Sequence, residues 1–230
     1  MNDQTLDDFR QRAVDAAGGS SHEQITDTVL ARLAALPKPG SLLDFGAGRG
    51  ALLTRIAALL PDTRLNGADY LGRPAGLPER ISWTSGDLNQ PLVAPPVDIV
   101  TCSEVIEHLE NPRAVFRNLF ELIVPGGWLI LSMPNQESIR SYVSLLLGGH
   151  FVAFRGPSYP AHITALLRMD LEHMCAETGF EPAAFSYTDH GGLPKKPGTS
   201  WQSLSFGALR GRLFSDNIVM VARRPASATA

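Results

Sequence analysis

Cysteine is nearly missing from the sequence: 2 of 230 residues, Cys102 and Cys175, each inside a run that reads as regular structure. That leaves neither a disulfide framework nor the paired spacing of a zinc site, and it suits a reducing compartment. An excess of positive charge is also missing. The 20 Lys and Arg against 23 Asp and Glu give a net charge of -3, so no overall field draws the chain to nucleic acid or anionic lipid. One local exception lies between His190 and Ala230, where Lys195, Lys196, Arg210, Arg212, Arg223 and Arg224 outnumber Asp216. It reads as a solvated basic face. No apolar run approaches the roughly 20 residues of a membrane span, and the acidic opening M-N-D-Q-T-L-D-D-F carries no export signal. The expectation is a cytoplasmic protein with a small-molecule partner; nothing in the sequence fixes its oligomeric state.

What is present is an ordinary globular composition, 44% hydrophobic and 19% charged, enough for one domain over residues 1–230. Residues 1–37 read as a helical flank. Leu6, Phe9, Ala13 and Val14 lie near helical spacing, and Ser20 with Glu23 form a capping box ahead of the stripe Ile25, Val29, Leu33 and Leu36. Strand-like runs follow at S-L-L-D-F, R-L-N-G-A-D, I-S-W-T, V-D-I-V-T-C, W-L-I-L-S-M, F-E-P-A-A-F-S-Y and N-I-V-M-V-A. Helical patterns separate several of them, notably 114–123 and 170–178. Alternating strands and helices predict an α/β fold: a Rossmann-like three-layer sandwich around a mostly parallel seven-stranded sheet with an antiparallel last strand, the last two strands forming an antiparallel edge.

In such a sheet ligands bind beyond the carboxyl ends of the strands, so the turn D-F-G-A-G-R-G, from Asp44 to Gly50, is the expected floor of a site. Its glycines let the backbone approach a ligand and leave a helix N-terminus facing an anion. Alone the turn is ambiguous, because Gly46, Gly48 and Ala51 also satisfy the dinucleotide fingerprint of a nicotinamide-dependent oxidoreductase. The acid at the strand end and the third glycine, Gly50, make it resemble motif I of the class I S-adenosylmethionine-dependent methyltransferases.

The resemblance runs from about residue 42 to 180. It implies that Asp44, Gly46, Ala47, Gly48 and Gly50 cradle S-adenosylmethionine, that Asp69 with Tyr70 at the end of the second strand holds the ribose hydroxyls, and that Asp87 and Leu88 of G-D-L meet the adenine. It also implies that Ser103 and Glu104, after the fourth strand, line the same pocket, and that P-G-G-W-L-I-L-S-M-P-N is the turn and fifth strand.

S-E-V-I-E-H-L, residues 103–109, then offers two carboxylates and an imidazole that a helical turn would bring onto one face. Three roles compete for Glu104, Glu107 and His108. They line the pocket and satisfy local hydrogen bonds; or His108, or His162 from A-H-I-T, takes a proton from a substrate hydroxyl; or Glu104, Glu107 and His108, with His162 as a further ligand, hold Mg or Mn. E-x-x-E-H with a distant histidine resembles small-RNA 2'-O-methyltransferases, and E-x-x-E-H alone resembles ubiquinone-pathway O-methyltransferases. The absence of an RNA-binding module or a basic stripe favours a small acceptor over RNA.

Residues 136–165 read as an insert covering the acceptor. The stripe Ile139, Tyr142, Val143, Leu146 and Leu147 is expected to pack on the core, with Phe151, Phe154 and Tyr159 as a candidate aromatic wall. G-G-L-P-K-K-P-G-T-S, residues 191–200, reads as an exposed loop. The resulting expectation is transfer of a methyl group from S-adenosylmethionine to a small molecule, at oxygen before nitrogen or carbon.

Overall fold

The computed structural model describes residues 8, 10–12 and 21–226. Of the first expected helix, residues 8 and 10–12 are helical, while Leu6, Phe9, Ala13, Val14 and Ser20 lie outside the described residues. The elements run α1 (Glu23–Ala34), β1 (Ser41–Phe45), α2 (Ala51–Leu59), β2 (Arg64–Asp69), β3 (Ser82–Ser85), β4 (Val97–Ser103), α3 (Pro112–Glu121), β5 (Ile123–Pro134) and α4 (Ile139–Gly148). After these come α5 (Arg168–Thr178), β6 (Ala184–Tyr187), β7 (Gly192–Leu193), β8 (Lys196–Ser200), α6 (Trp201–Leu204) and β9 (Asn217–Arg223).

Seven strands form one sheet in the order β3-β2-β1-β4-β5-β9-β6. β1 pairs in parallel with β2 and β4, β2 with β3, and β4 with β5, whereas β9 runs antiparallel to both β5 and β6. The last two strands, β9 and β6, thus form the antiparallel edge as expected, with β9 lying inside β6. The physical reason is its sequence: Ile218, Val219, Met220 and Ala222 are all buried, so β9 needs cover on both faces, while the partly exposed A-F-S-Y of β6 tolerates the edge.

The pleat divides the core in two. Leu43, Phe45, Val100 and Leu131 pack with Phe116, Leu119 and Leu171 of α3 and α5, while Leu42, Ile99, Ile130 and Val219 pack with Val29, Leu33, Leu53 and Ile56 of α1 and α2. This is the three-layer arrangement. Among the described residues no helix is long and apolar enough to cross a membrane. Both cysteines are buried free thiols.

Two expectations change. The segment 191–200 contains a hairpin rather than a plain loop, with β7 and β8 joined through Pro194 and Lys195. The apolar stripe of α4 does not face the core: Ser141 is the helix's one buried residue, and Leu146 is 83% exposed. The helix leans on the short turn Val152–Phe154 instead of the sheet, and its outer face is left in solvent.

Candidate active site

The glycine turn closes over the end of β2. Gly46 N and Ala47 N both donate to Ala68 O, at 2.7 and 3.0 Å. Asp69 ties the turn down further: Gly48 N donates to its Oδ2 at 2.7 Å and Leu71 N to its Oδ1 at 2.8 Å. Each carboxylate oxygen keeps a lone-pair direction for a ligand hydroxyl. Gly46, Gly48 and Gly50 all have positive φ, from +53° to +81°, so the turn demands glycine. At Gly46 there is also no room, since a Cβ would lie 2.2 Å from Val105 Cγ2. Gly46→Ala is therefore expected to cost about 2–4 kcal/mol of stability, read as a lowered urea midpoint.

Asp44 lies at the back of the pocket. Thr101 Oγ1 donates to its Oδ1 at 2.7 Å, but Oδ2 is buried without a partner. Burial, with the Asp69 charge adding to it, pushes its carboxyl up to about 7. At the other end Asp87 accepts from Asn89 through Oδ1, and its Oδ2 lies 2.7 Å from Arg10 Nη1. Arg10 also reaches Glu110 at 3.3 Å, so a cation from the N-terminal segment caps this end. No local pattern in the sequence marks Arg10 for that place.

The acid and histidine cluster forms differently from the expected helical face. Ile106–His108 is a short 3-10 turn, and Glu104 precedes it with φ +56°. That backbone sends its carboxylate to β5 and β9, where Ser132 Oγ donates to Oε1 at 2.9 Å and Asn217 Nδ2 to Oε2 at 2.8 Å. Burial pushes Glu104 up to about 7. Glu107 is 1% exposed with neither carboxyl oxygen partnered, and burial followed by the Glu104 charge raises its pKa well above the usual range.

The insert is stitched to this turn. Ile163 N and Thr164 N both donate to Glu107 O at 3.0 Å, and Thr164 Oγ1 donates to Leu109 O. His108 Nδ1 lies 2.8 Å from Ala161 O; a carbonyl only accepts, so Nδ1 carries the proton and Nε2 keeps its lone pair. His162 stacks edge-on against His108 at 4.7 Å, with its Nδ1 buried and unpartnered. Burial lowers both imidazoles, His162 to about 4 with the neighbouring His108 contributing. Ligand atoms of Glu107, His108 and His162 all lie within 4.8 Å of one another, and Glu104 stands outside the group.

These parts share one cavity of about 330 Å³, lined by Asp44, Gly46, Ala47, Gly48, Asp69, Tyr70, Asp87, Leu88, Ser103, Glu104, His108 and His162. Gly50 shapes it from outside, as the left-handed residue capping α2. A second cavity of about 390 Å³ shares His22, Ile25, Glu104 and His162 with it as lining residues. Asn217 and Ser132, which orient Glu104, were not legible as site residues, because the pairs are made across the sheet.

A family model described as a methyltransferase domain matches residues 19–184. A ubiquinone biosynthesis O-methyltransferase of Paraburkholderia phymatum is 30% identical over 122 residues, 49% of this chain and 51% of that protein. A methyltransferase of Strobilurus tenacellus is 34% identical over 99 residues, 42% of this chain and 36% of that protein. The chain spans about half the length of the ubiquinone-pathway relative it matches first. A crystal structure of an S-adenosylmethionine-dependent methyltransferase from Archaeoglobus fulgidus superposes with TM-score 0.61 at 15% identity, covering 89% of this chain and 95% of that one. N-methyltransferase NodS from Bradyrhizobium japonicum, solved with S-adenosyl-L-homocysteine, superposes with TM-score 0.55 at 18% identity, covering 87% and 85%. These likenesses extend the fold beyond the sheet order, and with the match over residues 19–184 the chain belongs to the class I S-adenosylmethionine-dependent methyltransferases.

Proposed function

We propose that the chain methylates a hydroxyl of a small-molecule acceptor, with S-adenosylmethionine in the first cavity and the acceptor in the second. The observation that carries this reading is the junction of the two cavities: Glu104 and His162 line both, so the basic groups stand where methyl donor and acceptor would meet. The insert 136–165 and, from the N-terminal flank, Arg10 and residues 21–26 act as its covers within one catalytic domain.

Asp69 would hold the ribose through its remaining lone pairs, and Asp87 with Leu88 would meet the adenine. The unpartnered Oδ2 of Asp44 would receive the donor's ammonium group. In transfer, a lone pair of the acceptor oxygen forms the bond to the methyl carbon while the carbon–sulfur bond electrons return to sulfur, leaving a thioether. The hydroxyl proton passes to a neutral imidazole, His108 Nε2 or His162. Holding acceptor and methyl in line supplies much of the rate.

Glu107, His108 and His162 also fit a divalent ion, Mn or Mg, by donor chemistry and by the unpartnered atoms buried there. Bound to those three residues, it would acidify a hydroxyl. The second reading, a metal-dependent 2'-O-methyltransferase of small RNA, shares this donor set, but the net charge of -3 favours a small acceptor over RNA.

Calorimetric titration with S-adenosylhomocysteine tests the proposal: saturable one-to-one binding supports it, and binding of NAD in its place overturns it. The titration should also depend on pH. Asp44 must be ionised to meet an ammonium group, and its pKa in the free protein is about 7. Affinity is therefore expected to rise about tenfold between pH 6 and 8 and then level off. In Asp44→Asn that rise should vanish.

A further inference from the structure

Beyond the acceptor cavity lies a third, of about 430 Å³, between α4 and the β7–β8 hairpin. Arg140, His150, Arg155, Lys195 and Lys196 line it, and no Asp or Glu does. Elsewhere on the surface some exposed arginines have carboxylate partners, as in Arg55–Asp27 and Arg113–Glu177. Arg140 is paired, at 2.6 Å from Asp216. Among the described residues no ion pair engages Arg155, Lys195 or Lys196. Three cations thus face one concavity without counterions.

The cavity is also framed. Asp216 Oδ2 accepts from Arg140 Nη1 and from Gly192 N, at 2.6 and 3.0 Å, and so fastens the hairpin and α4 to the end of β9. Lys195 occupies one of the two turn positions between Leu193 and Lys196 with φ +59°, a conformation glycine adopts without strain. A strained lysine in this place keeps a charge at the rim. Val143, Leu147 and Leu193 supply an apolar wall beside the charges.

Position decides what such a site is for. Arg140 and Val152 line both this cavity and the acceptor cavity, which in turn adjoins the donor pocket. We infer that the α4–hairpin cavity is an anion subsite, seating a phosphoryl group at the far end of the acceptor while the hydroxyl end reaches His162. Three uncompensated cations suit a phosphate or diphosphate better than a single carboxylate, and the guanidinium fork of Arg155 matches phosphate oxygens. The apolar wall would contact the stem that joins the two ends. The acceptor part of this inference rests on the methyl-transfer reading; the anion site itself does not.

The test is titration of inorganic pyrophosphate into metal-free full-length protein saturated with S-adenosylhomocysteine, at constant ionic strength. Saturable binding is expected, weakened about tenfold in Lys195→Gln/Lys196→Gln and in the single exposed variant Arg155→Gln, and unchanged in Lys38→Gln. S-adenosylhomocysteine affinity should be the same in all of them, which separates the subsite from the donor pocket and from misfolding. No saturable binding, or equal binding by the variants, overturns the subsite. Affinity for phosphatidylglycerol vesicles without affinity for pyrophosphate also overturns it, in favour of a lipid surface meeting the exposed Leu145 and Leu146. If S-adenosylhomocysteine itself fails to bind, the methyl-transfer reading falls, and with it the acceptor assignment.

Discussion

Asp69→Asn is expected to weaken S-adenosylhomocysteine binding by about a hundredfold. The carboxylate accepts from Gly48 N and Leu71 N, and in the proposed complex it accepts from both ribose hydroxyls too. An amide of the same shape leaves one oxygen, and its NH2 turns toward either a backbone donor or a ribose hydroxyl. Losing charge-assisted hydrogen bonds of about 1.5–3 kcal/mol each accounts for the hundredfold, about 2.7 kcal/mol. Because one backbone N–H loses its acceptor, the variant should also unfold about 1–3 kcal/mol more easily. Its far-UV circular dichroism should stay native. A dissociation constant within about threefold of wild type would mean that the ribose is held elsewhere and that Asp69 serves only to fasten the glycine turn.

Much of this site is written locally. The runs S-L-L-D-F, R-L-N-G-A-D and V-D-I-V-T-C are short, and their strands lie where the pattern put them, because most of their residues are buried in the sheet. The acids that follow them then gather at one sheet edge by topology alone. What was illegible depended on distant partners. Glu104 takes its left-handed backbone and its orientation from Ser132 and Asn217, 28 and 113 residues away, so the regular helical face assumed for E-x-x-E-H did not form. The α4 stripe had the right period but the wrong destination: periodicity shows that a helix has an apolar face, without showing what meets it. The β7–β8 hairpin was hidden by G-G-L-P-K-K-P-G-T-S, a segment with few strand formers.

Manganese is expected to bind stripped wild-type protein saturably, and Glu107→Gln to lose between about tenfold and a hundredfold in affinity. Isothermal titration after chelator treatment would read this, with the paramagnetic resonance of free manganese as a second measure. Leaving a carboxyl with two bare oxygens in the interior costs several kcal/mol unless something partners it. Among the described residues no hydrogen-bond partner does so for Glu107, whose Oε1 lies 4.0 Å from His108 Nε2, while ring nitrogens of His108 and His162 lie within 4.8 Å of its carboxylate. A divalent cation would complete all three residues at once. Gln keeps the shape and can still offer one oxygen, so it should fold as wild type while losing the charge that the cation needs. Glu104→Gln separates the two possible ligand sets. Its carboxylate is already satisfied by Ser132 and Asn217, so a three-residue site should keep manganese affinity within about threefold, whereas loss equal to that of Glu107→Gln would return Glu104 to the coordination sphere. Absence of any metal heat in wild type would assign the three residues to proton transfer alone, with Glu107 as a buried, protonated neighbour of the histidine pair.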